Sequence, residues 1–331
     1  MPNNPVTDHS SSKKSRPKPP ALSATPGMVP QPTVSFSDDN ARLTAELPTG
    51  QSVTVLLYGA TVLSWKDGDG NERLWLSEAA RTDGSKAVRG GIPLVFPVFG
   101  TAPDHAATSR LPQHGFARTS RWEFLGKSTS ESASSSGAAD LAVKLDFGLS
   151  SETEGLDPAA REAWPYKFNL IYSVTLTKDS LTTNIVVTND DERPFECQVL
   201  MHTYLRVKDI TNVEITGLAN APYIDKVDNF ASKTEQSERV RITGETDRVY
   251  TPEGTVSVVE GGKTVYTVTR DSLGNVVVWN PWADKAQGIA DFAPKDGFKQ
   301  MVCIEPGAVG GWQTVEPGDA LGGAQTITIP Q

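Results

Sequence analysis

Only four histidines stand in the chain, His9, His105, His114 and His202, so candidates for proton transfer near neutral pH are few. His202 lies in Cys197-Gln-Val-Leu-Met-His-Thr-Tyr-Leu-Arg-Val207, where strand alternation puts Leu200, His202, Tyr204 and Arg206 on one face. A lone strand histidine is more often structural than catalytic. Tyr204 and Arg206 beside it argue for a polar cleft instead of an apolar core. Glu305 follows an apolar run in Met301-Val-Cys-Ile-Glu-Pro-Gly307, and the proline ring holds the residue before it extended. The pattern predicts a carboxylate at a rim where a strand ends in a Pro-Gly turn; a solvated turn glutamate fits the residues equally well.

Two segments carry candidate anion anchors. In Val88-Arg-Gly-Gly-Ile-Pro-Leu-Val-Phe-Pro-Val-Phe-Gly100, Arg89 precedes Gly90 and Gly91, whose missing side chains permit close backbone approach to a ligand. No Gly-Lys-Ser/Thr follows, so this is not a P-loop. Leu111-Pro-Gln-His-Gly-Phe-Ala-Arg118 offers Gln113, His114 and Arg118 within six residues. An arginine fork binds carboxylate or phosphate through two parallel hydrogen bonds, although either arginine could serve as a surface ion-pair partner. The aromatic faces of Trp279-Asn-Pro-Trp282 suit stacking on a sugar or filling a core.

These side chains must be positioned by strands, because the dominant periodicity is two. Leu141, Val143, Leu145 and Phe147 alternate with Lys144 and Asp146; Tyr172, Val174 and Leu176, Ile185 and Val187, and Val256 and Val258 repeat the pattern. Asn275 to Trp279 reads as a more continuously apolar strand, and Asp67-Gly-Asp-Gly, Asn189-Asp-Asp, Pro252-Glu-Gly and Gly261-Gly supply turns. The expected fold class is all-β, a large antiparallel sandwich or barrel. The Ser/Ala/Gly-rich stretch from Lys127 to Asp140 predicts a flexible surface loop. Residues 1–33 hold eight of the 23 prolines and a basic, Ser-rich run, giving +3 against -12 for the remainder of a chain with net charge -9. This segment predicts a disordered tail ahead of one β domain over residues 34–331, with organelle import as the lesser alternative.

Composition narrows the function classes. The 331 residues contain no apolar run long enough to cross a bilayer and no apolar N-terminal stretch of secretory type. Two cysteines, Cys197 and Cys303, cannot build a disulfide framework, and no Cys/His spacing resembles a zinc site. A reducing, cytoplasmic setting and a protein without metal or cofactor are expected. The acidic balance offers no basic stripe for nucleic acid.

Seven ordered strings together resemble the glucose-6-phosphate 1-epimerases, or hexose-6-phosphate mutarotases: Leu57-Tyr-Gly-Ala-Thr-Val-Leu-Ser-Trp65, Leu74-Trp-Leu-Ser77, Asp83 to Gly100, Leu111 to Arg118, His202-Thr-Tyr204, Val278-Trp-Asn-Pro-Trp282 and Cys303-Ile-Glu-Pro-Gly307. The resemblance spans residues 34 to 320. It implies a galactose-mutarotase-like β-sandwich that interconverts the anomers of an aldohexose 6-phosphate. Carried onto this chain, the family's acid/base pair falls on His202 and Glu305. Its substrate contacts fall on Arg89, Gln113, Arg118 and, from a Glu-Thr-Asp-x-Val-Tyr string, Asp247; His114 is a further candidate contact. An ionised Glu305 suits removal of the O1 proton, and a protonated His202 suits delivery to the ring oxygen. The expected partner is a hexose 6-phosphate, bound by a monomer without membrane or nucleic acid. An epimerase for unphosphorylated sugars and a non-catalytic carbohydrate-binding sandwich are the rivals; a glycosidase would need a second carboxylate in such a motif.

Overall fold

A computed structural model describes residues 30–37, 39–132 and 140–330. The predicted tail, residues 1–33, lies outside the described residues except for its last four, and Thr33 already opens the first strand, Thr33–Phe36. The period-two segments all form strands. Phe168–Leu176 and Ser180–Asn189 make an antiparallel pair in which Tyr172 faces Ile185. Three antiparallel sheets result, of four, eight and nine strands.

One core fills the space between the two larger sheets. Val143, Leu145, Phe147, Tyr172 and Ile185 come from the nine-stranded sheet, and Val199, Met201, Val276, Val278, Val302 and Ile304 from the eight-stranded one. Facing sheets with interdigitating inner residues define a β-sandwich, the fold class expected. Polar side chains also cross the gap. The buried Thr203 hydroxyl bonds the Gln325 side chain at 3.0 Å, and the Gln325 amide donates back at 2.8 Å.

Two segments depart from expectation. Lys127–Ser132 belongs to the strand Glu123–Ser132, paired with Asp140–Ser150 from Glu123 opposite Gly148 to Ser132 opposite Asp140. Hairpin pairing with a strongly alternating partner overrides the weak propensity of the serines; residues 133–139 of the expected loop lie outside the described residues. The strand Met301–Val315 runs for fifteen residues straight through Pro306 and Gly307, so no Pro-Gly turn forms there. Glu305 is therefore mid-strand and 1% exposed instead of at a rim.

Gly90 and Gly91 also act differently from the expectation. A Cβ on Gly90 would lie 2.5 Å from the Trp75 carbonyl oxygen, and one on Gly91 2.1 Å from that of Val62, with Gly91 at φ +66°. The close approach that the structure shows is to the chain's own backbone. Gly91→Ala combines left-handed strain with overpacking, so a loss of about 2 to 4 kcal/mol is expected. Denaturant midpoints of the two proteins check this, and an unchanged midpoint at equal m-value contradicts it.

Candidate active site

Register in the central strands brings the two sequence candidates together. Phe195–Met201 and Tyr204–Arg206 both pair with Met301–Val315, with Leu200 opposite Gly307 and Tyr204 opposite Cys303. That register sets residue 202 opposite residue 305. On the other side Val277 faces Glu305 and Trp279 faces Cys303, and Asp247 faces Trp279 in turn. Alternation then gives one face to the core, through Met201, Val276, Val278, Val302 and Ile304, and the other to His202, Glu305, Trp279 and Asp247.

His202 Nδ1 lies 3.2 Å from Glu305 Oε1, and both side chains are nearly enclosed, at 10% and 1% exposure. Neither atom has an aligned hydrogen bond. Burial pushes the Glu305 carboxyl well above its ordinary range, with Asp247 adding to the shift. Burial likewise holds the His202 imidazole well below 6.5, reinforced by His114, Arg89, Arg118 and Lys226. These surroundings therefore favour a protonated Glu305 and a neutral His202, the reverse of the ionised pair expected. Both arrangements hold a single proton between the two residues.

His202 is held by an aromatic column. Its ring stacks on Tyr204 at 4.6 Å and 7°, Tyr204 on Trp75 at 5.9 Å, and Trp75 on Phe292 at 4.6 Å; Trp279 meets His202 edge-on at 5.8 Å. The segment from Gly91 to Pro97 runs alongside, accepting the Tyr204, His202 and Gln198 amides on Gly91, Pro93 and Pro97 carbonyls at 2.8–2.9 Å. This places Arg89 at the site. Its Nε donates to Asp291 at 3.2 Å and one terminal nitrogen to the Tyr204 hydroxyl at 3.2 Å, which together raise its pKa.

The second basic segment folds back on the first. Phe116 donates its amide to the Phe96 carbonyl, and Gly115 sits so close to that carbonyl that a Cβ would approach to 2.1 Å. His114 Nδ1 accepts the Gly100 amide at 3.0 Å, leaving the proton of the neutral ring on Nε2. Its ring lies 6.0 Å from that of His202, and burial holds its pKa well below 6.5. Gln113 lies 3.5 Å from His114 Nε2. Arg118 donates to the Gln113 carbonyl at 2.7 Å while its Nε is buried without a partner, and burial lowers its pKa to about 10. A cavity of about 480 Å³ is lined by Arg89, Gln113, Arg118 and Asp291. Neither His202 nor Glu305 lines it, yet Arg89 and Arg118 both act electrostatically on His202.

The candidates His202, Glu305, Arg89, Gln113, His114, Arg118 and Asp247 thus converge on one region. Arg206 does not: its Nε donates to the Leu74 carbonyl, away from the cleft. His105 stacks on Trp312 at 3.6 Å, and Trp282 packs against Phe298. Two charged residues of the site escaped sequence reading. Lys226 pairs with Asp247 at 3.0 Å, lies over the Phe99 ring and opposes the rise of the Glu305 pKa. Asp291 holds Arg89 from a loop pinned by Ser77, whose hydroxyl bonds the Asp291 carbonyl at 2.7 Å. Neither stands in a periodic segment that would mark it. Among the described residues, His202, Cys303 and Glu305 also offer ligand atoms within 4.8 Å of one another, a grouping that chain spacing did not reveal. Burial keeps the Cys303 thiol and the Glu305 carboxyl protonated, so that donor set would have to lose two protons to hold a metal.

The fold is that of the mutarotase-like β-sandwich class, and it carries the buried His202–Glu305 face. The sequence profile described as aldose 1-epimerase matches residues 42–328, and the chain belongs to that family, an isomerase of the epimerase type. A protein of Cenchrus ciliaris provisionally named glucose-6-phosphate 1-epimerase is 35% identical over 272 residues, 80% of this chain and 77% of its own length. One of the same provisional name from Escherichia coli is 33% identical, covering 82% of this chain and 85% of its own. A crystal structure from Salmonella typhimurium, provisionally described as a mutarotase, superposes with TM-score 0.75 at 28% identity, covering 92% and 95% of the two chains.

With both folded values depressed, His202 and His114 remain neutral below pH 6.5 in the folded protein. The stability they contribute is present above 6.5 and is lost as pH falls through the folded values. Imidazole NMR titration of the substrate-free protein should place both midpoints below 6.5; a midpoint at or above it for His202 contradicts the desolvated pair.

Proposed function

We propose that this epimerase is a hexose-6-phosphate mutarotase, with glucose 6-phosphate as substrate, His202 and Glu305 as the acid/base pair, and Arg89 and Arg118 as the phosphate anchors. The observation that carries the reading is the facing of His202 and Glu305 at 3.2 Å beside a cavity whose lining includes both arginines. Opening the sugar ring breaks the C1–O5 bond, removes the proton of the O1 hydroxyl and delivers one to O5. After rotation about C1–C2 the steps reverse on the other carbonyl face. A pair that holds one proton suffices, because the base gains what the acid gives.

Glu305 as base and His202 as acid require the ionised arrangement, reached from the resting one by moving a proton from Oε1 to Nδ1 across 3.2 Å. The substrate favours this move. Arg89 and Arg118 oppose a cationic His202, and a phosphate dianion on them neutralises that opposition. His114, Gln113 and Asp247 are left to contact the sugar hydroxyls, Asp247 being oriented by Lys226.

Relatives that carry the glucose-6-phosphate 1-epimerase name support the phosphorylated substrate over a free sugar. The protein is a catalyst in this reading, not a binding module, because a binder has no need of a desolvated acid/base pair. The chain has no helix long and apolar enough to cross a membrane among its described residues. We place the enzyme in the cytoplasm, acting as a monomer.

Glu305→Gln and His202→Asn should each lower kcat for anomer exchange of glucose 6-phosphate by at least about 10²-fold with the fold retained. Turnover close to wild type in either variant removes the pair from the mechanism. Arg89→Ala and Arg118→Ala should weaken kcat/KM for glucose 6-phosphate by roughly 10- to 150-fold, chiefly through KM, since the phosphate lies away from the breaking bond. If both variants treated glucose 6-phosphate and glucose alike, the phosphate assignment would fail and a free-sugar epimerase would be the better reading.

A further inference from the structure

The cavity against Arg89 and Arg118 has a third cation that no motif assigns. Lys86 lines it, is exposed, and has no hydrogen-bond or ion-pair partner among the described residues. Arg89 is already engaged by Asp291 and Tyr204. Arg118 donates to Gln113. Lys86 alone has its whole donor set available to a ligand.

Its position is built by the fold. Ser85 bonds the Asp83 carboxylate through both its amide, at 3.0 Å, and its hydroxyl, at 2.6 Å. Gly84, at φ +82°, packs so tightly on Tyr58 that a Cβ would fall 2.3 Å from the ring. On the other side Val88 is buried. Lys86 therefore stands on a turn anchored at both ends and lines the same cavity as the two arginines.

Charge balance points to the ligand. Among the described residues, Lys86, Arg89 and Arg118 are the cations lining the cavity and Asp291 is its single carboxylate, so this lining carries two positive charges in excess. A phosphate monoester near pH 7 carries close to two negative charges. Without Lys86 the Arg89–Asp291 pair cancels and Arg118 alone remains, which would suit a monoanion. We infer that Lys86 completes the phosphate subsite and sets the enzyme's selectivity for a dianionic sugar phosphate over a neutral sugar. The inference rests on the proposed hexose-6-phosphate reading and adds to it the residue that discriminates charge.

The test compares Lys86→Met, which keeps the chain length and removes the charge, with Lys86→Arg, which keeps the charge. Lys263→Met, at a different cavity, controls for net charge. Anomer exchange is measured on glucose 6-phosphate and on glucose, with inorganic phosphate as a competitive inhibitor. Lys86→Met should raise KM for glucose 6-phosphate about 10-fold with kcat within about twofold, and raise the inhibition constant of inorganic phosphate by a similar factor. The preference for the phosphorylated sugar should fall accordingly, Lys86→Arg should restore most of it, and Lys263→Met should match wild type. A KM for glucose 6-phosphate within twofold of wild type in Lys86→Met, where wild type keeps its preference, overturns the inference alone. A parallel collapse of kcat on both sugars would make Lys86 structural and also overturn it. A wild-type enzyme without preference for glucose 6-phosphate over glucose would overturn the hexose-6-phosphate reading and this inference together.

Discussion

Withdrawing a histidine and a carboxylate from water on the same sheet face is the constraint on which the site depends. Each charged form would be costly there, so burial drives both residues toward their neutral forms, Glu305 upward and His202 downward. The backbone fixes their placement. A fifteen-residue strand in mid-sheet cannot slip by one residue without turning its core face outward, so the register that buries Val302 and Ile304 also aims Glu305 at His202. Packing of the hydrophobic core and placement of His202 and Glu305 are one requirement met by the same alternation.

The surroundings supply the polarity that a buried pair lacks. Arg89, Arg118, Lys226 and Asp247 all act on the two residues, yet each is restrained by a partner of its own: Asp291 and Tyr204 for Arg89, Gln113 for Arg118, and Lys226 and Asp247 for each other. Tyr204 has two tasks. Its ring stacks on His202 while its hydroxyl receives Arg89, so the imidazole and the guanidinium are referenced to one side chain. Preorganisation of this kind lets charge shift during ring opening without large movements of the protein.

Much of this was legible in the chain. Alternation in segments such as Leu141 to Phe147 marks strands directly, because half-buried strands must bury every second residue. The identities of His202 and Glu305 emerged from scarce chemistry set in committed motifs, but their facing did not, since nothing local links residues 103 positions apart. Glu305 was misplaced at a rim because a Pro-Gly step ordinarily ends a strand; here Pro306 lies opposite Val276 inside the sheet. Gly90 and Gly91 announced close contact but not with what. Lys226 and Asp291 were invisible for a related reason: their roles come from tertiary neighbours, and a charged residue in a turn looks the same whether it faces solvent or a cleft.

The division between the enclosed pair and the cavity beside it has a consequence for how binding and chemistry connect. Arg89 and Arg118 line the cavity and add to the burial that keeps His202 neutral. A neutral sugar entering alone leaves that restraint in place. A sugar carrying a dianion at C6 compensates the arginines, and a cationic His202 then costs less. In the proposed reading, binding energy from a group remote from the reacting carbon is in this way converted into a change of protonation at His202, and the two arginines that anchor the phosphate also prepare the imidazole.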